Sequence, residues 1–378
     1  MSATLTSRHD AVVLYPSRRH VPEHEDRIHH DIARRIANLL GRPFDGVYDS
    51  SRHASGHWYF VPTDTVLTPA TREALGIRNE LDLFGGYADH PFMPTKAITH
   101  GLVGPHAQRP AGWSDAFVEH VRGATLPGRT AFSVGDLRIA AQQLGLGRHA
   151  LRLKPVKATG GRGQTLLADA DALEAELAQL DTESLAQFGI VLELHLQDVT
   201  TYSVGQLRLP GLTASYIGTQ RLTSDRHGEP VYGGSQLLFA RGGYGALDAL
   251  PLGPARRLAV RHAQRYDRAA DACYPGFFAS RRNYDIAAGT GPDGETLIGV
   301  LEQSWRIGGA SRAEIAAAEV FAADPACTRI WAETREIFND SEPAPPDALL
   351  TYAGVDPELG RICKYVMVHA YDHKHAYD

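Results

Sequence analysis

Apolar residues recur at helical spacing in several long segments of the chain. In 24–40 the apolar positions are Ile28, Ile32, Ile36 and Leu39, and a Gly-Arg-Pro sequence follows. This spacing places them on one face of a helix, and the glycine is a usual helix end. Ser133 is a suitable N-cap for another helix. Helices are predicted over 24–40, 69–75, 133–144, 171–188, 254–273 and 311–323, the last with Ser311 and Glu314 as a capping box, and the last fifty residues are predicted to be helical.

Other segments alternate apolar and polar residues or form short apolar runs, as strands do. A Gly-Pro-Asp-Gly turn joins two of them as a hairpin. The helices and strands do not alternate as regular βαβ units, so the pattern predicts an α+β fold with an antiparallel central sheet. Strands are predicted over 11–15, 57–61, 151–154, 190–196, 201–209, 212–222, 232–239, 283–287 and 296–301.

Composition narrows the class of protein. A chain of 378 residues is expected to form two or three lobes, and its net charge of −6 lacks the basic signature of a nucleic-acid binder. Three widely spaced cysteines argue against a disulfide framework and favour a reducing compartment. No signal peptide or membrane-length apolar run is evident. We therefore expect a cytoplasmic protein without nucleic-acid or membrane partners.

A glycine-rich loop follows the predicted strand at 151–154. It carries Gly160, Gly161 and Gly163 around Arg162. Glycines permit positive φ and let backbone N–H groups turn toward an anion. The sequence matches neither the P-loop nor the dinucleotide-binding motif. By itself the loop is compatible with a simple turn, the commoner case, or with a cover over phosphates.

Two acidic residues lie on the predicted hairpin, Asp285 on its first strand and Glu302 at the end of its second. Carboxylates on paired strands can converge on one face, where they repel unless a cation lies between them. Mg²⁺ prefers one or two protein carboxylates together with phosphate oxygens and water. Arg306, Gly308 and Gly309 follow directly. A surface hairpin with solvated acids is the alternative, which the flanking apolar residues disfavour.

The segment 190–205 offers a third candidate. Its strand ends in Glu193, Leu194, His195 and Leu196, whose backbone could bind adenine as a nucleotide hinge does. A buried strand with an internal partner for Glu193 explains the segment equally well.

Taken in their order along the chain, which is the glycine-rich loop, the segment 190–205 and then the acidic hairpin, the three segments resemble the ATP-grasp superfamily, and in particular a little-characterised bacterial branch of it. The resemblance covers about 90–312 and implies two α+β lobes that grip a nucleotide. The implied organisation is an N-terminal pre-ATP-grasp-like α/β region at 1–90, a small lobe with the glycine-rich loop at 91–196, a C-terminal lobe with the metal site at 197–325 and a helical tail at 326–378.

The resemblance also implies roles for the matching residues, with ATP and Mg²⁺ as cofactors. The implied nucleotide-binding residues are Lys96, Lys154, Gly160, Gly161, Arg162, Gly163, Glu193, His195, Leu196 and Thr201. The implied metal ligands are Asp285, Glu302 and Ser304, and the implied catalytic positions are Arg306, Gly308 and Gly309.

The activity implied is that of an ATP-dependent ligase. ATP-grasp enzymes usually activate a carboxylate as an acyl phosphate, which an amine or thiol then attacks. Two positions depart from the superfamily pattern: Ser304 replaces an asparagine, and Thr201 replaces a ribose-binding glutamate. The alternative is therefore a non-catalytic ATP-binding regulator. A homodimer is compatible with either hypothesis.

Histidines suggest a third hypothesis, a structural zinc site. His20, His24, His29 and His30 lie close together in the sequence, as do Cys363, His369, His373 and His375. Two histidines four residues apart can share a helix face and bind a metal. Because 18 histidines are scattered through the chain, a solvated surface role is the commoner explanation.

Overall fold

The N-terminal region is a three-stranded parallel sheet packed against a long helix. The computed structural model describes residues 9–18, 21–157, 163–226, 228, 230–338, 343–357 and 359–371. Strand β1 lies between β2 and β3, and the predicted apolar stripe of α1 is buried at its three isoleucines and partly buried at Leu39. The elements are β1 (Ala11–Tyr15), α1 (Glu23–Leu40), β2 (Phe44–Val47) and β3 (Trp58–Pro62).

Short elements connect this sheet to the next lobe, including two 3-10 helices. Each 3-10 helix is capped by a side chain that accepts a backbone N–H, Asn79 for the first and Thr95 for the second. The elements are β4 (Val66–Leu67), α2 (Pro69–Leu75), the 3-10 helix Glu80–Asp82, β5 (Gly86–Ala88) and the 3-10 helix Lys96–Thr99.

The small lobe contains an antiparallel sheet with the order β6-β9-β7-β8. The predicted helix over 171–188 is wrong as a single element. Asp181 accepts hydrogen bonds from the N–H groups of Glu183 and Ser184 and so begins a second helix. The elements are α3 (Asp115–Val121), β6 (Gly128–Ala131), α4 (Val134–Gln143), β7 (Leu151–Pro155), β8 (Thr165–Leu167), α5 (Ala170–Leu177), α6 (Thr182–Phe188) and β9 (Ile190–Leu194).

The largest sheet has eight strands, and every neighbouring pair is antiparallel, which confirms the predicted antiparallel sheet. Its order is β15-β14-β10-β11-β12-β16-β18-β17, while β13 joins a separate small sheet with β5 and β4. The elements are β10 (Gln197–Leu209), β11 (Leu212–Ser224), β12 (Pro230–Arg241), α7 (Pro254–Cys273), β13 (Phe278–Ala279), β14 (Arg281–Thr290), β15 (Thr296–Ser304), α8 (Ser311–Ala323), β16 (Arg329–Ile337), β17 (Leu349–Asp356) and β18 (Gly360–Ala370).

Helices cover both faces of this sheet. Helix α7 packs on one face, around a core that includes Val204, Ile217 and Tyr266. Helices α1 and α8 pack on the other face, around Tyr216 and Phe239. The chain therefore forms one mixed α+β structure, as predicted. Within the described residues, no helix is both long enough and apolar enough to cross a membrane.

The prediction of a helical tail is wrong, because the described residues after Arg329 form three strands. Side chains of β16 alternate between the two cores: Ile330 and Ala332 join the α8 side, and Trp331 joins the α7 side. This segment forms a strand because it pairs with β12 and so extends the large sheet. The local sequence does not reveal that a partner strand is available.

Helix α8 spans the predicted residues but lacks the predicted capping box. Ser311 is already the first helical residue, and its hydroxyl accepts a hydrogen bond from the Gly308 N–H at 3.1 Å. Glu314 turns away from the helix start and pairs with Arg281 beneath the sheet. The Ser-x-x-Glu pattern is thus explained by two unrelated contacts.

Candidate active site

The acid pair predicted on the hairpin forms as expected. Asp285 and Glu302 are direct cross-strand partners on β14 and β15. Lys96 Nζ lies 2.9 Å from Glu302 Oε2. Burial and the charge of Glu302 raise the pKa of Asp285 to about 7, against the opposing effects of the Gln220 hydrogen bond and the Arg281 charge. The pair therefore carries more negative charge than its surroundings compensate, which is the situation that a bound cation relieves.

A second charged cluster lies in the small lobe. The Lys154 ammonium on β7 donates to Glu193 Oε2 on β9, and His100 Nε2 lies 2.8 Å from the other carboxylate oxygen. Burial opposes ionisation of Glu193, but the Lys154 charge and the His100 hydrogen bond outweigh it and lower its pKa to about 2. The internal partner considered for Glu193 is therefore present, and its carboxylate is fully engaged within the protein.

One short segment connects the two clusters. Lys96 begins the 3-10 helix and His100 directly follows it. Lys96 contacts Glu302 of the hairpin, and His100 contacts Glu193 of the small lobe. The acid pair and the buried lysine, which are far apart in sequence, are therefore brought to opposite ends of a single helical turn.

The backbone of the predicted adenine hinge is partly used inside the lobe. The Leu194 N–H donates to the Pro127 carbonyl at 3.1 Å, and the His195 N–H donates to Ala150 at 3.0 Å. Leu196 is buried in a small apolar cluster. A hinge at this position would therefore depend on the carbonyls and on the Leu196 backbone.

Most of the predicted glycine-rich loop lies outside the described residues. Gly160, Gly161 and Arg162 lie outside the described residues. Gly163 has φ of +65°, a conformation that favours glycine, and it leads into β8. Thr201 lies half-buried on β10, across from Ala287 of β14.

A buried arginine holds the end of the acid hairpin in place. Arg281 Nη1 donates to the Ser304 carbonyl and hydroxyl, both at 3.1 Å, and to the Arg306 carbonyl at 2.7 Å. The rest of its guanidinium pairs with Glu314, which also accepts the Tyr216 hydroxyl at 2.6 Å. Because the Ser304 hydroxyl faces a guanidinium, the arrangement disfavours a cation bound to this oxygen.

Asn283 is an amide that lies beside the acids, in addition to Gln220. It lies two residues before Asp285 on the same face of β14, and directly across from Ser304. With its nitrogen turned toward the acids, it donates to Asp285 Oδ1 at 3.3 Å while its oxygen accepts the Ser203 hydroxyl at 2.6 Å. Asn283 thus orients the Asp285 carboxylate.

Arg306 brings the N-terminal region to the same end of the hairpin. Its Nε lies 3.8 Å from Asp64 Oδ1, and the other oxygen of Asp64 accepts the Arg18 Nε at 3.1 Å. Burial lowers the pKa of Arg306 against the opposing charge of Asp64. A guanidinium from the hairpin and one from the N-terminal region therefore share one carboxylate.

Gly308 and Gly309 differ in whether close packing requires a glycine at that position. A Cβ at Gly309 would collide with the ring of Tyr232, so close packing accounts for this glycine. A Cβ at Gly308 would meet only ordinary contacts, the nearest being Arg281 Nη1 at 3.7 Å. Packing therefore does not require a glycine at position 308, and its predicted role stays a prediction.

Sequence reasoning missed His100, Arg281, Glu314 and Asn283. Asn283 could have been found, because its spacing of two from Asp285 on a predicted strand places both on one face. The side-chain contacts of the other three join residues at least 23 positions apart, and local periodicity carries no signal for such pairs.

Among the described residues, the histidines of the zinc hypothesis do not form a metal-binding group. His24 and His29 are buried on α1, where burial lowers the pKa of His29 to about 4. Within the part of the chain that the structure describes, neither they nor His30 belong to a group of three possible metal ligands. His20, His373 and His375 lie outside the described residues.

Comparison with known structures shows the fold. N5-carboxyaminoimidazole synthetase from Staphylococcus aureus, complexed with ADP, matches with a TM-score of 0.56 and 9% sequence identity, over 96% of this chain and 94% of that chain. A biotin carboxylase–β-γ-ATP complex from Campylobacter jejuni matches with a TM-score of 0.51 and 12% identity, over 97% and 89%. Both are ATP-grasp enzymes, so the resemblance inferred from the sequence is confirmed at the level of the fold.

Sequence comparisons place the chain in a family without identifying its reaction. A search of curated proteins finds no match. The family described as "Protein of unknown function (DUF3182)" matches residues 12–366. The chain therefore belongs to the DUF3182 family, and it has the ATP-grasp fold.

Proposed function

We propose that this protein is an ATP- and Mg²⁺-dependent ligase that joins a small carboxylic acid to an amine or a thiol. The observation that carries the proposal is the acid pair, in which Asp285 and Glu302 face each other across two strands with Lys96 at 2.9 Å from Glu302. Two carboxylates beside a buried lysine form a donor set suited to Mg²⁺ with nucleotide phosphates.

The proposed reaction has two steps. An oxygen of the substrate carboxylate attacks the γ-phosphorus of ATP, and ADP leaves, which produces an acyl phosphate. The amine or thiol then attacks the acyl carbon, phosphate leaves, and the nucleophile loses its proton. Phosphoryl transfer of this kind depends mainly on positioning and on neutralising charge.

The residues of the chain divide these tasks. Asp285 and Glu302 would hold Mg²⁺, which when bound supplies positive charge against the phosphate oxygens. Lys96 and Lys154 would bind phosphate oxygens as point charges. Asn283 keeps the Asp285 carboxylate in place, and Arg306 would stabilise the negative charge of the acyl phosphate.

The nucleotide would lie between the small lobe and the acid hairpin. The glycine-rich loop at 160–163 would close over its phosphates and exclude water. Adenine would contact the backbone near Leu196, since the Glu193 side chain already binds Lys154. Lys154 would have to divide its interactions between that carboxylate and ATP.

A non-catalytic ATP-binding regulator remains the second candidate, and one observation favours it. The Ser304 hydroxyl faces Arg281 at 3.1 Å, so a third protein ligand for Mg²⁺ is lacking at this position. Under this hypothesis the protein would bind Mg·ATP tightly and turn over no carboxylate. A cytoplasmic location and a homodimer are predicted under both hypotheses.

Replacing Glu302 by glutamine is expected to weaken Mg·ATP binding by about tenfold, because an amide oxygen carries no charge. The effect is moderate because Lys96 remains beside the phosphates. Isothermal calorimetry with and without Mg²⁺ measures it. The matched control is Glu295→Gln in the exposed hairpin turn, which is expected to bind like the unmodified protein. Equal Mg·ATP binding by Glu302→Gln and the unmodified protein would remove the basis of the proposal.

Turnover separates the two candidate functions. The purified protein is incubated with Mg·ATP, hydroxylamine and a panel of carboxylic acids, and ADP and trapped hydroxamate are measured. A ligase forms both with at least one acid. Tight Mg·ATP binding without product from any acid would favour the regulator.

A further inference from the structure

A second cluster of metal-binding side chains lies away from the acid hairpin. His9, His57 and Asp82 each contribute one possible ligand atom, and these atoms all lie within 4.8 Å of one another. His9 Nε2 is 3.2 Å and His57 Nε2 is 2.9 Å from Asp82 Oδ1. Among the described residues, no other group of three or more histidine, cysteine or acidic side chains brings its possible ligand atoms this close together.

The topology explains why these residues meet. His9 shortly precedes β1, and His57 directly precedes β3. Since β1 and β3 are parallel neighbours, residues before them share one edge of the sheet. The Asp10 N–H donates to the His57 carbonyl at 2.7 Å, which fixes the two chain segments side by side. Arg18 and Asp64, which connect to Arg306 of the acid hairpin, come after the C-terminal ends of β1 and β3. The cluster of His9, His57 and Asp82 lies at the N-terminal ends of these strands and is therefore separate from the acid hairpin.

The Asp82 carboxylate is held by the backbone. Its Oδ2 accepts the Arg78 N–H at 2.8 Å, which leaves Oδ1 directed at the two imidazoles. Both His9 and Asp82 are buried. The ring of Tyr59 packs edge-on against His9, with 5.2 Å between ring centroids. Neighbouring groups therefore hold the possible ligand atoms in place, as is usual around metal sites.

We propose that His9 Nε2, His57 Nε2 and Asp82 Oδ1 form a binding site for a divalent transition metal ion such as Zn²⁺. Two imidazoles and one carboxylate are ligands that Zn²⁺ accepts, with bonds of about 2.0–2.2 Å. Ligand atoms bonded at that length in a tetrahedral site are about 3.4 Å apart, so the observed separations of 3.2 and 2.9 Å would have to widen by only a few tenths of an ångström. A fourth position remains for water or another donor. The proposal does not depend on the proposed ligase activity.

Arg78 lies beside this site. Its guanidinium is in contact with His57 Nε2, one of the three possible ligand atoms. The Arg78 side chain is 63% exposed and can turn into solvent. A bound metal would therefore displace a positively charged group, and removal of that group should favour the metal.

The test is a Zn²⁺ titration of the purified full chain by calorimetry, in excess Mg²⁺, with the Co²⁺ complex monitored by its visible absorption. The unmodified protein is expected to bind one equivalent. His57→Ala should weaken Zn²⁺ binding by at least about 100-fold, since even outer-shell changes cost about 10–100-fold. Arg78→Ala keeps all three ligands and should tighten binding by about tenfold. His106→Ala, at an exposed position, is the control and should leave binding unchanged.

Three outcomes would overturn the proposal. The first is failure of the unmodified protein to bind Zn²⁺. The second is binding by His57→Ala that equals that of His106→Ala. The third is a Zn²⁺ affinity of Arg78→Ala that equals that of the unmodified protein. If circular dichroism shows that His57→Ala does not fold, the Arg78→Ala result alone tests the proposal.

Discussion

Replacing Arg281 by methionine is expected to lower the free energy of unfolding by about 3–5 kcal/mol, because it leaves the Glu314 carboxylate buried without its partner. Arg281 and Glu314 are almost completely buried, and the guanidinium also holds the carbonyls of Ser304 and Arg306. Methionine has similar length and none of these hydrogen bonds. Urea unfolding followed by circular dichroism measures the change.

The chain contains a matched control for this result. Arg138 and Glu174 form a similar two-bond pair, with contacts of 2.6 and 2.7 Å, but each side chain is about half exposed. Arg138→Met should therefore cost far less stability than Arg281→Met, because solvent screens an exposed ion pair. The double variant Arg281→Met/Glu314→Leu removes both buried charges and should recover much of the lost stability. A similar loss for both arginines would contradict the role assigned to burial.

Replacing Asp285 by asparagine is expected to stabilise the protein above pH 7 and to weaken Mg·ATP binding by more than about 100-fold. Burial and the Glu302 charge raise the pKa of Asp285 from 3.8 to about 7 in the folded protein. The folded state therefore retains the proton more strongly than the unfolded state. Stability from this protonation is complete below about pH 4 and is lost as the pH rises through 7. Asparagine cannot ionise, so it avoids that loss.

The measurement is the free energy of unfolding at pH 5 and pH 8 for both proteins. The advantage of Asp285→Asn should be larger at pH 8. Asp293→Asn, in the exposed hairpin turn, should show no such difference. In the unmodified protein, Mg·ATP affinity should rise through pH 7, because only the ionised carboxylate binds a cation. A difference between Asp285→Asn and the unmodified protein that is equal at both pH values would contradict the pKa assignment.

The sequence was sufficient to predict elements whose signals are local. Helices over 254–273 and 311–323 are confirmed at both ends, because proline or small residues mark their starts and their apolar positions follow a helical period. The hairpin acids are also cross-strand partners, as the predicted hairpin led us to expect.

The rest depended on distant parts of the chain. Strands β16–β18 have local sequences that become strands because a sheet edge is available to pair with. The Lys154–Glu193 contact crosses two strands, and the Arg281–Glu314 contact joins a strand to a helix. No single-segment pattern distinguishes a buried ionic partner from a solvated one. The assignments of ATP-binding and metal-binding residues therefore stay predictions, although the fold is established.

The C-terminal strands have a practical consequence for work with this protein. Strand β16 covers the outer edge of β12 along seven residue pairs. A chain shortened before Arg329 would leave that edge without a partner, and exposed edges of long strands are templates for intermolecular pairing. It would also separate Arg312 from Glu336, which it contacts at 2.6 Å. The tail therefore belongs to the folding unit and protects it against self-association.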